Sequence, residues 1–317
     1  MIIFFQFDFL WIISKKNIIA NNLPKKEYVA DSLKYVVFLQ KKIMTYTIRT
    51  KSGLLSMEKP VIMGTLNVTE DSFFDGGRYT DRDSICQRAD QILDEGGEII
   101  DIGAVSTRPG AMELPETEEI NRIQNAVQIV RGHCPTAVIS VDTWRASVAR
   151  AAVENGADMI NDVSGGTFDP DMIPTIGQMQ VPYCLMHTPA KPDKMQNCTE
   201  YRDILAEMLQ FFGQQLEKLH QAHVHDIILD PGFGFGKTLE QNYFILQNLD
   251  AFKVFDLPIL VGVSRKSMIY KLLNTTPDKA LNGTTVVHAY ALMRGAHILR
   301  VHDVREAVET RTIMGLL

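Results

Sequence analysis

Four residues of this chain have the chemistry of a diphosphate site: Asn67, Arg108, Arg300 and His302. Each guanidinium offers a forked set of donors that matches phosphate oxygens. The Asn67 side chain offers a neutral oxygen to a divalent metal. Mg2+ keeps several of its waters and bridges substrate phosphates, so one protein ligand can suffice. These residues therefore predict an anion site that uses Mg2+, with Asn67 as the metal ligand.

The same residues belong to a larger set of polar groups that follow short apolar runs. The other members are Asp101, Thr107, Asp142, Asn161, Asp162, His187, Asp230, Arg265, Lys266, Ser267 and Asp303. Taken singly, Asp142 or Asp162 could cap a following helix, and His187 could be a core histidine. An unpaired buried polar group costs about 1–3 kcal/mol, so a ligand is the better explanation for so many together.

A glycine-rich segment from Gly232 to Thr238 resembles a nucleotide-binding loop. Pro231 stands where a P-loop needs its first glycine, and Lys237 breaks the dinucleotide-binding pattern. The segment is therefore interpreted differently. Its small residues allow the backbone and Phe235 to approach a flat ligand closely.

Alternating strands and helices must position these side chains. Short apolar runs predict eight strands, over 60–68, 98–104, 137–143, 159–164, 183–187, 227–232, 259–264 and 297–303. Apolar residues at helical spacing predict helices between them, most clearly over 84–95, 116–131 and 201–220. Eight such units over about 260 residues favour a single-domain (β/α)8 TIM barrel, with an open doubly wound sheet as the alternative. In a barrel the active site lies at the carboxyl ends of the strands, where the polar set falls.

Composition and cysteine usage limit the class of protein. The chain has 317 residues, of which 45% are hydrophobic, and a net charge of −6, so neither a disordered chain nor a general nucleic-acid surface is expected. The four cysteines form no CxxC pair and no histidine stands at a zinc-like offset, so no structural zinc is predicted. Free thiols favour a reducing, cytoplasmic compartment.

Residues 1–43 differ from the rest and are predicted to be an extension that precedes a barrel domain over 44–317. Their apolar start lacks the features of a signal peptide and is shorter than a bilayer span, so stable membrane insertion is not expected. Three explanations stay open: translation that begins at Met44, a poorly ordered extension, or a membrane-associating anchor.

Seven motifs resemble, in order, those of the dihydropteroate synthase family of pterin-binding barrels. They are MGTLNVTEDSFFDGG (63–77), DIGAVSTRPG (101–110), SVDT (140–143), INDVS (160–164), DPGFGF (230–235), GVSRKS (262–267) and RVHDV (300–304). The resemblance runs from about Met57 to the C-terminus. Two residues of the first loop depart from the family pattern, which usually has proline at Glu70 and often serine at Phe74.

The resemblance implies a transferase of folate biosynthesis with small-molecule substrates. It would join 4-aminobenzoate to (7,8-dihydropterin-6-yl)methyl diphosphate and release 7,8-dihydropteroate and diphosphate, by dissociative loss of the diphosphate. It also implies Mg2+, a sulfonamide target, and a homodimer that forms through the late helices, 284–294 and 305–314.

The resemblance further implies a role for each matching residue. The pterin would contact Asp142, Asn161, Asp230, Lys266, Met186, Phe235 and Gly234. The diphosphate would contact Asn67, Arg108, Arg300 and His302, and 4-aminobenzoate would contact Thr107, Pro109, Arg265 and Ser267. The catalytic residues would be Lys266, Thr107, Asp101 and Arg108, with Asp101 supporting the second loop.

Two rival functions differ from this one in the residues that they need. A pterin barrel that moves a methyl group from methyltetrahydrofolate to a cobalamin protein would share the pterin contacts. It would have no use for the segment 107–109 or for Arg300 and His302. A non-catalytic paralogue would have lost the residues for diphosphate, which are intact here.

Overall fold

A parallel barrel forms the centre of the fold in this computed structural model, which describes residues 46–51, 53–68, 80–104 and 114–317. An antiparallel hairpin precedes it, made of β1 (Thr47–Thr50) and β2 (Gly53–Ser56). The barrel strands are β3 (Val61–Asn67), β4 (Ile99–Gly103), β5 (Val138–Asp142), β6 (Met159–Asp162), β7 (Tyr183–Met186), β8 (Ile227–Asp230), β9 (Leu260–Val261) and β10 (Ile298–Val301). Their order is β8-β7-β6-β5-β4-β3-β10-β9, and a bridge between Leu229 and Ile259 joins the two edges. The predicted (β/α)8 barrel is confirmed.

Helices cover the outside of this barrel. They are α1 (Thr80–Asp94), α2 (Glu116–His133), α3 (Ala146–Glu154), α4 (Met172–Met179), α5 (Ile204–Gln221), α6 (Leu239–Gln247), α7 (Ser267–Tyr270), α8 (Leu281–Met293) and α9 (Val304–Met314). Local sequence explains where two of them begin. The Asp203 side chain caps α5 by accepting from the backbone of Ala206, and Thr238 and Gln241 form a capping box on α6. The helices pack their apolar faces on the strands to form the largest core cluster.

The strands are shorter than predicted, chiefly at their carboxyl ends. The clearest case is β9, which has two residues where six were expected over 259–264. Its continuation turns because Arg265 adopts a left-handed conformation with φ of 54°, and the Lys266 amide donates to the Val263 carbonyl at 3.1 Å. The residues that carry the polar set therefore lie partly in loops.

The amino-terminal half of the barrel interior is filled with apolar side chains, and the hairpin closes it. Ile48 of β1 and Met57 after β2 pack against Met63, Ile99 and Ile298 from the barrel strands. No strand was predicted over these hairpin residues. Because this end is filled, the open end of the barrel is the one where the polar residues stand. Among the residues that the structure describes, no helix is both long and apolar enough to cross a bilayer.

Candidate active site

One layer across the carboxyl end of the barrel carries three of the predicted site residues. The strand register aligns Asn67 with Gly103, Gly103 with Asp142, and Asp142 with Asn161. Gly103 has no side chain, so a gap separates its two polar neighbours. A Cβ at Gly103 would lie 3.6 Å from Asn67 Oδ1 and 3.9 Å from Asp142 Oδ2. Asn67 is exposed, and its oxygen faces this gap together with a carboxylate.

Arg300 joins two of the predicted carboxylates below that layer. Its Nε donates to Asp101 Oδ2 at 2.6 Å, and its Nη2 donates to Asp142 Oδ2 at 2.8 Å. Asn161 Nδ2 donates to the same Asp101 oxygen at 3.2 Å. Asp101 is fully buried, and among the residues that the structure describes its Oδ1 has no hydrogen-bond partner. The described part of the chain thus leaves one buried acceptor available to a further donor.

The charges of this group depend on one another. Burial raises the pKa of Asp142 above its ordinary value, and the Arg300 guanidinium opposes that shift. Burial also disfavours the charged form of Arg300, yet Asp101 and Asp142 together raise its pKa. Removing either carboxylate would leave Arg300 with less compensation, because an opposite charge within a few ångströms is what stabilises a buried ion.

Asp230 and Lys266 form a second polar group next to the first, since a Cβ at Gly262 would lie 3.9 Å from Lys266 Nζ and 3.8 Å from Arg300 Cβ. Asp230 Oδ1 accepts from the Gly232 amide at 2.7 Å. Lys266 Nζ donates to the Phe233 carbonyl at 2.6 Å and lies 4.7 Å from the centre of the Phe235 ring. Burial lowers the pKa of Lys266 to about 8, and the Asp230 carboxylate acts against that shift. Lys266 is therefore poised to donate to a ligand that lies over Phe235.

The glycine-rich segment wraps around a second lysine, Lys237. Its Nζ donates to the carbonyls of Gly232 at 2.9 Å, Phe235 at 3.0 Å and His187 at 3.2 Å. An ammonium has three N–H donors, so this one is fully used by the backbone. Gly232 has a φ of 69°, and a Cβ there would collide with the His187 carbonyl. Lys237 therefore holds the loop, which agrees with the interpretation that this segment is not a nucleotide loop.

An apolar cluster lies against these polar groups. It consists of Trp144, Val163, Met186, Met195 and Phe235, all buried. Met186 and Phe235 were predicted, and the other three were missed. A signal was present for two of them, since Trp144 and Val163 each follow a strand-end polar residue by two positions, after Asp142 and Asn161.

Two predicted residues, Arg265 and His302, have protein partners next to the mouth. Arg265 makes a forked contact with Asp303, at 2.8 Å from Nε and 2.7 Å from Nη2, and also donates to the carbonyls of Pro277 and Asp278. His302 is exposed, and its Nδ1 lies 3.2 Å from Ser264 Oγ. Ser267 is the first residue of α7, as predicted. Thr107, Arg108, Pro109, Glu70 and Phe74 lie outside the described residues.

The structure also decides the simpler explanations for three of these residues, as helix caps or as a core histidine. Asp142 caps no helix, because the N-cap of α3 is Arg145. Asp162 organises a loop instead, accepting from the amides of Ser164 and Gly166 and from the Tyr183 hydroxyl. His187 is a core histidine that packs edge-on against Phe211 at 5.0 Å between ring centres, and burial lowers its pKa to about 2.

Comparison with known proteins gives the family. The family model described as "Pterin binding enzyme" matches residues 63–302. A dihydropteroate synthase of Escherichia coli K12 is 41% identical over 262 residues, which cover 82% of this chain and 92% of that relative. The chain belongs to the dihydropteroate synthase family. A Synechocystis dihydropteroate synthase is 43% identical and covers 78% of this chain and 86% of its own length.

Solved structures of the dihydropteroate synthase family agree with the barrel described above. A Yersinia pestis dihydropteroate synthase, solved in a complex with a sulfonamide drug, has a TM-score of 0.80 and 38% identity. A Xanthomonas albilineans dihydropteroate synthase, solved with 4-aminobenzoic acid, has a TM-score of 0.80 and 33% identity. Each alignment covers 86% of this chain and 98% of the other.

Proposed function

We propose that this chain condenses 4-aminobenzoate with (7,8-dihydropterin-6-yl)methyl diphosphate and releases 7,8-dihydropteroate and diphosphate. As a member of the dihydropteroate synthase family it is a transferase of folate biosynthesis. The observation that carries the proposal is the meeting of Asp101, Asp142, Asn161 and Arg300 at one end of a barrel. Carboxylates and amides match the edges of a pterin, and a guanidinium matches a phosphate.

The pterin would lie between the two polar groups of the mouth. Its amino-pyrimidinone edge presents parallel N–H donors, and the buried carboxylate of Asp230 can accept both. Asp142 and Asn161 would bond the other ring nitrogens. Lys266 would donate to the ring oxygen and N5, and Met186, Phe235 and Gly234 would form the surface beneath the ring.

The diphosphate would lie on the side of Asn67 and Arg300, with Arg108 and His302 as further donors. A guanidinium has five N–H groups, of which the contacts to Asp101 and Asp142 use two. Arg300 can therefore turn toward phosphate oxygens while it keeps a carboxylate partner. An incoming anion would compete with those carboxylates and free them to accept from the pterin.

The oxygen donors around Gly103 suit Mg2+. This ion takes oxygen ligands, and both Asn67 Oδ1 and the Asp142 carboxylate face that gap. Asn67 would hold the ion, with diphosphate oxygens and waters completing its shell. When bound, Mg2+ neutralises charge that builds up on the departing diphosphate.

The reaction would proceed by loss of diphosphate before the amine attacks. The C–O bond at the pterin methylene breaks, and its electron pair leaves with the diphosphate. The nitrogen of 4-aminobenzoate then forms the C–N bond and loses a proton to solvent. An arylamine is already neutral at pH 7, so the protein needs no strong base. Arg300, Arg108 and Lys266 would stabilise the developing negative charge, and the apolar cluster would keep water from the cation.

Thr107, Pro109, Arg265 and Ser267 would frame 4-aminobenzoate. A carboxylate is favoured beside the backbone amides at the start of a helix, and α7 begins at Ser267. Sulfonamides would also bind this chain, by analogy with the Yersinia pestis relative that was solved with a sulfonamide drug. The enzyme would act as a homodimer in the cytoplasm, a reducing compartment that suits its four free thiols.

Diphosphate release, measured with and without 4-aminobenzoate and with and without Mg2+, tests this function. We expect release that needs Mg2+ and is matched by an equal amount of dihydropteroate. Slow release without the arylamine would support the dissociative order, because water then traps the cation. No release under any condition, with the pterin substrate still bound, would favour the non-catalytic paralogue.

A further inference from the structure

A second cluster of potential ligands lies on the outside of the barrel, between α1 and the end of α2. The carboxylate of Asp90, the Nε2 of His133 and the Sγ of Cys134 lie within 4.8 Å of one another. His133 Nε2 is 2.8 Å from Asp90 Oδ1, and Cys134 Sγ is 3.8 Å from the same oxygen. We call these three residues the α1–α2 cluster. The fold brings Asp90 to His133 and Cys134, which lie more than forty residues later in the chain. Local sequence offsets could not reveal such a cluster.

The spacing of these atoms is close to that of a tetrahedral metal site. Zinc bonds of about 2.0–2.3 Å place neighbouring ligand atoms roughly 3.3–3.8 Å apart. The Asp90–Cys134 distance of 3.8 Å already matches. The 2.8 Å between His133 and Asp90 is a hydrogen bond that an ion between the two groups would open slightly. Small side-chain rotations would be enough, because the Asp90 and His133 side chains are 51% and 36% exposed.

The neighbourhood of the α1–α2 cluster also favours a cation. Cys86 lies one helical turn before Asp90 on α1, and Asp94 lies one turn after it. The carboxylates of Asp90 and Asp94 stand near the Cys134 thiol. Those groups repel a thiolate, so a bound cation would relieve the repulsion. Cys86 is itself a free, half-buried thiol that could serve as a fourth ligand.

We propose that Asp90, His133 and Cys134 bind Zn2+, with Cys86 or water as the fourth ligand. The donor set selects the class of metal, since thiolate and imidazole favour zinc over Mg2+ or Ca2+. The ion would connect α1 to the end of α2 on the outer ring of helices. It would stabilise the folded state without touching the mouth of the barrel, where none of these residues lies.

Cobalt binding to the full chain, freed of metal by a chelator and kept reduced, tests the site. Co2+ bound to a thiolate gives a charge-transfer absorption that Mg2+ sites cannot produce. We expect this absorption in the wild type and in Cys198→Ser, which alters an exposed cysteine outside the cluster. We expect its loss in Cys134→Ser and a tenfold or greater weakening in His133→Gln. Zn2+ should abolish the band by displacing Co2+.

Thermal unfolding gives a second measurement. Zn2+ at a hundredfold excess over its Kd should raise Tm by roughly 5 °C in the wild type and in Cys198→Ser, and by much less in Cys134→Ser and His133→Gln. The proposal is wrong if no thiolate absorption appears at millimolar Co2+, or if the absorption depends on Cys198. It is also wrong if reduced protein gains no thermal stability from Zn2+. Turnover should be unchanged in every variant, so this test is independent of the proposed function.

Discussion

Lys266 is the residue of the mouth whose charge state should control activity near neutral pH. It stands between Asp230 and the Phe235 ring, and burial lowers its pKa to about 8. Its ammonium is present below that pH and lost above it. We therefore expect kcat/KM for the pterin substrate to fall as pH rises through about 8. Lys266→Arg should be slower but should lose this alkaline limb, because a guanidinium stays charged.

Comparison of the wild-type and Lys266→Arg pH profiles decides whether the alkaline fall in kcat/KM belongs to Lys266. Lys266→Ala should lower kcat/KM by about 100-fold or more at pH 7, as removal of one donor to developing charge does elsewhere. An alkaline limb that persists at the same pH in Lys266→Arg would assign that titration to another group. Near-normal turnover in Lys266→Ala would end the proposed role of the ammonium.

Lys237 is expected to position the glycine loop rather than to contact substrate. Replacing it with Met, which is similar in length, would leave the carbonyls of His187 and Phe235 without this donor, while the Gly232 carbonyl would still accept from the Phe235 amide. Each unsatisfied buried carbonyl costs about 1–3 kcal/mol. We expect Lys237→Met to lower the free energy of unfolding by about 2–4 kcal/mol and to weaken pterin binding about tenfold or more. Denaturant unfolding and calorimetry would measure the two effects.

The neighbouring Thr238→Ala is the matched control for Lys237→Met. It removes the cap of α6 but leaves the three carbonyl contacts in place. It should cost about 1 kcal/mol of stability and leave the affinity for pterin unchanged. If both variants weaken pterin binding equally, the loop depends on α6 and not on the ammonium.

The residue types of the mouth were predictable from the sequence, but their partners were not. Asp101, Asp142 and Arg300 were expected in one place because Asp142 ends a predicted strand, and Asp101 and Arg300 lie on predicted strands that lead into the same mouth. That Arg300 pairs with Asp101 depends on two residues 199 positions apart, and no local pattern encodes that distance. The pairing of Arg265 with Asp303 is similar, since both residues were recognised separately but their 2.7 Å contact was not.

At the scale of elements, the β1–β2 hairpin acts as the floor of the barrel. Ile48 is 2% exposed and packs on the inner side chains, whereas Leu54 on the same hairpin is 72% exposed. Ile48→Ala leaves a cavity under the barrel, and such changes cost about 2–5 kcal/mol. Leu54→Ala should change the free energy of unfolding by less than about 0.5 kcal/mol. If urea unfolding curves show that Ile48→Ala and Leu54→Ala lose equal free energy of unfolding, the hairpin does not act as the floor of the barrel.

The hairpin also marks where sequence patterns fail at this scale. Barrel strands were found because each is a run of buried apolar residues followed by a helix. The hairpin strands have four residues each, with two buried side chains in β1 and none in β2, and carry too little periodicity to detect. Strand ends were overestimated for a related reason: the apolar run continues into a turn at β9, and Arg265 in a left-handed conformation ends the ladder.

At the scale of the whole molecule, the barrel followed from the repeated alternation of strand and helix, because only a few architectures bury parallel strands on both faces. The sequence predictions for residues 1–43, including the boundary at 43 and 44, lie outside the described residues and stay predictions. So do the roles given to Thr107, Arg108 and Pro109, which lie outside the described residues.

The proposed homodimer is the remaining prediction for the whole molecule, and the surface of the late helices supports it. Val286 and Met293 lie two turns apart on α8, with 63% and 70% exposure, and Ile313 on the adjacent α9 is 61% exposed. Exposed apolar groups on neighbouring helices are typical of an interface.

The double variant Val286→Asp, Met293→Asp should therefore convert a dimer into a folded monomer, because burying two new carboxylates in the interface is costly. Light scattering measures the mass, and circular dichroism verifies folding. Leu54→Asp, the same kind of change on the exposed hairpin, should remain dimeric. A monomeric wild type, or dissociation of Leu54→Asp alone, would contradict an interface on these helices.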